Sequence, residues 1–156
     1  MQKYSLEIDD FSEPDYVLIG IHTALEDYKF TYLLNRKLKI QLSRANFDLD
    51  FHSNNNKAIF PVYQYIDEKL DHKWSLVSNI YREISIPKEK GLFKESDSIT
   101  YLISEKKKVD FLLKLEGGFD YEFIVKTIEY INKIKQVVTS YQIEVGSLKS
   151  KEFLIF

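Results

Sequence analysis

A chain of 156 residues with 44% hydrophobic and 29% charged side chains is long enough for one buried core and too apolar for a disordered segment. Its 22 basic against 24 acidic residues disfavour nucleic acid as a partner, because a phosphate-tracking surface needs a basic excess. The absence of cysteine excludes disulfides, thiolate metal sites and a cysteine nucleophile; with no membrane-length apolar run and no signal-peptide core after Met1, it predicts a cytoplasmic protein that contacts no membrane.

Tyr4, Leu6 and Ile8 alternate with polar neighbours and predict a half-buried strand, broken at Glu13-Pro14-Asp15. Tyr16 to Ile21 is apolar almost throughout and predicts a central strand covered on both faces. Thr23 and Glu26 have capping-box spacing. Phe30, Leu33, Leu34 and Leu38 follow at helical intervals, so a helix is expected from about Ala24 to Leu38, with Arg36 and Lys37 suiting its C-terminal dipole. Phe47, Leu49 and Phe51 then alternate with Asp48, Asp50 and His52. Asn54-Asn55-Asn56 signals a turn into a strand from Ala58 to Ile66, where Pro61 implies an edge position or a bulge.

Asp67 to Asp71 turns the chain again, and Lys73 to Tyr81 reads as one returning strand. Ile84 to Ser98, with Pro87 and Gly91, reads as an irregular loop anchored by Leu92 and Phe93. Ile99 to Ile103 and Val109 to Leu115 are expected to pair as a hairpin, with Val109, Phe111, Leu113 and Leu115 on one face. Gly117-Gly118 ends that strand. Asp120 then caps a helix whose apolar stripe is Tyr121, Ile124, Val125, Ile128, Ile131 and Ile134. Val137, Thr139, Tyr141, Ile143 and Val145 alternate as a last strand, and Phe153-Leu154-Ile155-Phe156 is apolar enough to dock on the body.

Strand, helix and strand near each end, with further strands between, predict a single α+β domain over residues 1–156. The expected layout is a two-layer sandwich of ferredoxin-like βαβ units. They share one mostly antiparallel sheet with an inserted β-meander and carry two helices on one face. In topology, Val109 to Val145 also resembles half of an ACT-type small-ligand-binding domain, a likeness that does not carry function.

The run Ile103-Ser104-Glu105-Lys106-Lys107-Lys108-Val109-Asp110-Phe111 resembles the signature of the IPExxxVDY family, small bacterial proteins of unknown function. Ile103, Glu105, Val109 and Asp110 match the pattern. Ser104 replaces its proline, which frees a backbone dihedral and restores an N–H donor. Phe111 replaces its tyrosine, so no role of that hydroxyl transfers. Leu18-Ile19-Gly20-Ile21, the Leu34-Asn35 that follows Asp27-Tyr28, and Lys149-Ser150-Lys151-Glu152 before the apolar end are similar to the family as well. The resemblance implies a bacterial protein without an assigned activity.

No HExxH, P-loop, GxSxG or GxGxxG is present, so no catalytic residue and no cofactor is predicted. Asp48, Asp50 and His52 share one strand face and could meet a divalent ion; alternation is also the ordinary pattern of a half-exposed strand, and no metal is expected. His22 and Glu26 could form an acid–base pair. Gly117-Gly118 could aim N–H groups at an anion, but Glu116 and Asp120 would repel it, so the pair reads as a tight turn. Glu105 is expected to accept from N–H groups of its own turn, and Asp110 to point away from the core; Lys106 to Lys108 reads as a solvated turn face.

The chain carries 11 Tyr, 11 Phe and 1 Trp, which suits pleated sheets and also protein interfaces. The leading expectation is a non-enzymatic domain that binds a protein partner or forms a homodimer through edge strands, with Ile103, Glu105, Val109, Asp110 and Phe111 as signature contact. The alternative is a small-ligand-binding regulatory domain of ACT-like type, its ligand at the strand–helix junctions marked by Gly20, His22, Thr23, Gly117, Gly118 and Asp120.

Overall fold

A computed structural model describes residues 15–53, 56–85 and 96–156. The predicted strand at Tyr4 to Ile8, the Glu13-Pro14 break, most of the Asn54-Asn55-Asn56 turn, and Pro87, Gly91, Leu92 and Phe93 lie outside these residues. The described elements are β1 (Tyr16–Thr23), α1 (Asp27–Leu38), β2 (Ser43–Ser53), β3 (Asn56–Asp67), β4 (His72–Ser78), β5 (Ile80–Ser85), β6 (Ser96–Tyr101), β7 (Phe111–Glu116), α2 (Tyr121–Asn132) and β8 (Val137–Ile143). The class is α+β. One sheet of six strands runs β2-β3-β4-β7-β1-β8 with every neighbouring pair antiparallel, and β5 and β6 form a separate two-stranded sheet.

Alternation within β1 and β7 sends side chains to two different cores. Ile19 and Ile21 join Phe111, Leu113 and Leu115, Trp74 and Leu76 of β4, Phe30 and Leu34 of α1, and Ile124 and Ile131 of α2, so both helices pack into one apolar cluster. On the other side, Leu18, Leu112, Val62 and Val77 pack with Leu102, Ile103, Val109, Val145, Leu148, Leu154 and Phe156. The apolar end of the chain therefore docks as predicted, and β1 is covered on both faces. Gly20 allows this close packing: a Cβ there would lie 2.8 Å from Ile143 Cδ1.

Helix α1 starts at Asp27, three residues later than predicted, and the capping box does not form. Thr23 is still the last residue of β1; its hydroxyl donates to the Gln136 carbonyl at 2.9 Å, and Glu26 makes no side-chain cap. Asp120 does cap α2, accepting the Phe123 N–H at 2.7 Å. Tyr121 leaves the predicted stripe and is 79% exposed, while Thr127 takes a buried position by donating its hydroxyl to the Phe123 carbonyl.

Three strand expectations are corrected. The predicted strand from Lys73 to Tyr81 divides at Asn79: β4 stays in the large sheet and β5 leaves it to pair with β6. The predicted hairpin between Ile99–Ile103 and Val109–Leu115 does not exist, because β7 lies between β4 and β1 and residues 102–110 cross from one sheet to the other. Burying Leu102, Ile103 and Val109 against the outer side of the large sheet demands that crossing, and it puts Val109 in the cluster opposite Phe111. In β8 the buried residues are Val137, Ser140 and Ile143; Thr139 and Tyr141 are exposed, since β8 is an edge strand twisted past a register shift at Thr23, and Val145 lies in the following turn.

Pro61 sits on an interior strand, so of the two readings only the bulge holds. The β2–β3 register slips between Arg44 and Asp48, Asp48 faces Pro61, and the β4 ladder ends one residue away at Val62.

Candidate functional site

Asn79 is fully buried at the break between β4 and β5, and its side chain organises the whole signature segment. Its Nδ2 donates to the carbonyls of Lys106 at 2.9 Å and Val109 at 3.0 Å, and its Oδ1 accepts the Ile103 N–H at 2.7 Å. Two of these bonds, to the Ile103 N–H and the Val109 carbonyl, satisfy backbone groups that a crossing chain would otherwise bury unpaired; the Lys106 carbonyl also accepts the Val109 N–H at 3.0 Å. Ile103 and Val109 are core residues. Asp110 accepts the Thr23 N–H at 2.9 Å and so closes the end of β1. Glu105 accepts from its own backbone N–H, as predicted for a turn residue, but also reaches further: its two oxygens take the N–H and hydroxyl of Ser150 at 2.7 and 2.8 Å, tying the crossing segment to the chain end. Burial raises the Glu105 pKa, but hydrogen bonds from its own N–H and from Ser150 and Lys149 outweigh it, and the net shift is downward.

The predicted ligand residues do not share a site. The β1–β7 register sets Ile21 against Phe111 and Tyr16 against Glu116, so Gly20, His22 and Thr23 stand at one end of the sheet and Gly117, Gly118 and Asp120 at the other. Five residues of strand separate those pairs, on the order of 16 Å. His22 Nε2 lies 3.0 Å from the Tyr141 hydroxyl rather than beside Glu26, which pairs with Lys29 at 3.4 Å. Gly117 and Gly118 have φ of 121° and 71°, and a Cβ at Gly117 would stand 2.2 Å from the Asp71 carbonyl; the pair is a tight turn. The Asp48, Asp50 and His52 triad does not assemble: Arg44 engages Asp48 and Lys57 approaches Asp50 at 3.9 Å. Among the described residues no group of three His, Cys, Asp or Glu could hold a metal.

The concentrated polar chemistry lies elsewhere, where the outer side of the sheet meets residues 149–156. A cavity of about 950 Å³ is lined there by Tyr16, Lys73, Lys114 and Glu116 from the strands and by Lys149, Lys151 and Phe156 from the chain end. Lys114 is only 4% exposed, standing between Leu113 and Leu115 on the opposite face from them. Its ammonium donates to the backbone oxygens of Leu154 at 2.7 Å and Phe156 at 3.2 Å, faces Glu116 Oε1 at 3.5 Å, and lies over the rings of Tyr16 and Phe156. Burial lowers the Lys114 pKa against the opposing pull of Glu116, and Lys73 pushes the same way as burial. Burial, then the Glu116 charge, raises the Tyr16 pKa. Glu116 Oε2 makes no hydrogen bond; Lys73 Nζ stands 3.3 Å away, out of line for one.

A second feature is the outward side of the helices. Tyr28 and Tyr32 of α1 and Tyr121, Phe123 and Tyr130 of α2 are exposed, and Lys29, Arg36 and Lys133 stand over the rings of Tyr28, Tyr32 and Tyr130. Over residues 26–39 and 121–135 there are 7 Lys and Arg against 4 Asp and Glu, a basic layer in a chain of net charge -2.

Scans of the chain against protein-family models, curated proteins and solved structures returned no match.

Asn79 and Lys114 were not singled out in the sequence, although each leaves a trace. Asn79 is a poor strand former inside an apolar strand run, and Lys114 is a charge inside Phe111-Leu112-Leu113-Lys114-Leu115. Either anomaly marks a position where tertiary contacts override the local pattern.

Proposed function

We propose that the chain is a non-enzymatic protein-interaction domain whose helical layer receives an acidic partner protein. The observation that carries the reading is the outward aromatic set of α1 and α2 in a basic surround. Exposed tyrosines offer apolar area with little side-chain entropy to lose, and cations beside them steer a partner of opposite charge. Self-association through sheet edges is disfavoured by the same structure. Edge strand β2 carries Arg44, Asp48 and Asp50 and a bulge, and the amide of Asn132 occupies both backbone groups of Ser140 in β8.

The proposal includes a finer fold description and a setting. The order and directions of the four strands β8-β1-β7-β4, with α1 after β1 and α2 after β7, support a ferredoxin-like sandwich in which β2 and β3 are the inserted meander. The signature residues Ile103, Glu105, Val109 and Asp110 support membership of the IPExxxVDY family. No described helix is long and apolar enough to cross a membrane. The cysteine-free composition supports a cytoplasmic location.

A photo-crosslinking residue at position 121, expressed in the native host, tests the interaction. The reading expects one acidic protein to be captured, to bind the purified domain, and to lose at least tenfold in affinity with Lys37→Glu combined with Lys126→Glu. Equal capture by the charge-reversed variant, or light scattering that shows only self-association through these helices, would overturn it.

A further inference from the structure

Resting on the interaction surface proposed above, we propose that a cavity between the end of α1 and α2 receives one tyrosine side chain from an acidic segment of the partner. Its volume is about 370 Å³, at the small end for a ligand cavity, which suits a single side chain. The walls are fixed before anything binds. Phe123 is 41% exposed, yet its ring is held 4.9 Å from that of Phe119 and 6.0 Å from that of Trp74. The buried Thr127 spends its hydroxyl on the Phe123 carbonyl. Beyond α1, the Asn35 amide bonds both backbone groups of Leu42 at 2.8 and 2.9 Å and so fixes the turn that carries Lys39. The family-like pair Leu34-Asn35 thereby supports the rim of this cavity.

Trp74 of β4 decides the chemistry. It is 4% exposed and lines the cavity, and its indole N–H donates to no acceptor among the described residues. Glu116 Oε2 is the one sealed side-chain polar atom without a bond among those residues, so the indole N–H is unbonded without being sealed, and the cavity is where Trp74 meets solvent. An indole nitrogen only donates, so the occupant must bring an acceptor. Trp74, Phe123 and Tyr130 also call for an aromatic body. Tyrosine is the side chain with both: phenylalanine and leucine carry no oxygen, and tryptophan is itself a donor.

Charge selects the flanks of the anchor. Lys37, Lys39 and Lys126 line the cavity and no acidic residue does. Lys126 is paired with Glu122 at 2.8 Å, whereas Lys37 and Lys39 pair with no described carboxylate. These exposed lysines steer carboxylates on either side of the tyrosine; the ring and its hydroxyl supply the anchor itself.

Proton–nitrogen NMR of the whole chain tests the anchor, because Trp74 is its single tryptophan and gives one indole N–H resonance. The probes are short capped peptides of glutamate and serine with a central tyrosine, phenylalanine or alanine. The tyrosine peptide is expected to shift the Trp74 resonance and to bind about tenfold tighter than the phenylalanine peptide, which leaves the N–H unpaired; the alanine peptide should bind more weakly still. Tyr130→Ala, a change at a half-exposed wall position, should weaken the tyrosine peptide about tenfold. An unmoved Trp74 resonance, equal binding of the tyrosine and phenylalanine peptides, or indifference to Tyr130→Ala would overturn the proposal. So would a shift produced by raising the protein concentration alone, which makes the occupant a second copy, or binding of free 4-hydroxyphenylacetate as tight as that of the peptide, which makes it a small molecule. Capture of an acidic protein from position 121 with no response at Trp74 removes this anchor and keeps the interaction surface. Loss of that capture with the Trp74 response intact removes the surface and keeps the selectivity of the cavity.

Discussion

Ile103 and Asn79, 24 residues apart, are joined by a 2.7 Å hydrogen bond from the Ile103 backbone N–H to the Asn79 side-chain oxygen. The same side chain donates to the carbonyls of Lys106 and Val109, so one buried amide holds both ends of the segment that crosses between the sheets. Asn79→Ala leaves the Ile103 N–H and the Val109 carbonyl without partners, while the Lys106 carbonyl keeps the Val109 N–H at 3.0 Å. The expected loss is about 3 kcal/mol of stability, read as a lower midpoint in urea unfolding at unchanged slope. Asn79→Asp should cost at least as much, because its second oxygen would face two carbonyls.

Asp110 closes the end of β1 by accepting the Thr23 N–H at 2.9 Å, and its own N–H donates to the Ile21 carbonyl at 3.0 Å. Asp110→Ala is expected to destabilise the fold by about 1–2 kcal/mol, the cost of losing a charge-assisted bond to a half-buried donor. Asp110→Asn keeps an acceptor and should recover part of that loss. A variant as stable as the parent in thermal unfolding would return Asp110 to the role of a surface contact.

Glu105 sets an acid sensitivity at the chain end. Its folded pKa is depressed, so its stabilising contribution is complete above the ordinary glutamate pKa and is lost as pH falls through the lower folded value. Hydrogen exchange at residues 150–156 should therefore accelerate as pH falls below about 4.5, after correction for intrinsic exchange rates. Glu105→Gln should make that correction-adjusted rate nearly independent of pH over the same window.

Asn132 acts as a guard on edge strand β8. Its side-chain oxygen accepts the Ser140 N–H at 2.7 Å and the Ser140 hydroxyl at 2.9 Å, and its Nδ2 reaches the Ser140 carbonyl at 3.4 Å. Asn132→Ala frees the middle of an uncharged strand, Val137-Val138-Thr139-Ser140-Tyr141-Gln142-Ile143, in which Val138 is 81% exposed. Light scattering over a concentration series should show more self-association in Asn132→Ala than in the parent, and Val138→Lys in that background should reverse it.

Helix α2, strand β1 and the turns at Asp67 and Gly117 were legible because each depends on neighbours in sequence. Asp120 caps three residues ahead, Asp67 accepts the Lys69 and Leu70 N–H groups, and the apolar run of β1 announces burial on both faces. Residues 99–115 misled for the opposite reason. Apolar segments on either side of a charged turn fit a hairpin and a crossing equally well, and the choice lay with Asn79, more than 20 positions away. Site reading fell short in the same place: Glu105 looked like a local turn residue only, and is also bonded to Ser150, 45 residues on.

Composition and periodicity by themselves determined an α+β chain with two helices, an apolar central strand and an end segment that docks. These follow from which side chains must leave water. Tertiary structure alone decided which strands are neighbours, where Asn79 turns the chain out of the sheet, and that Lys114, Glu116 and Tyr16 meet over one cavity. The physical reason is range: local hydrophobic pattern sets which face is buried, whereas strand order and the pairing of buried polar groups depend on contacts between residues tens of positions apart.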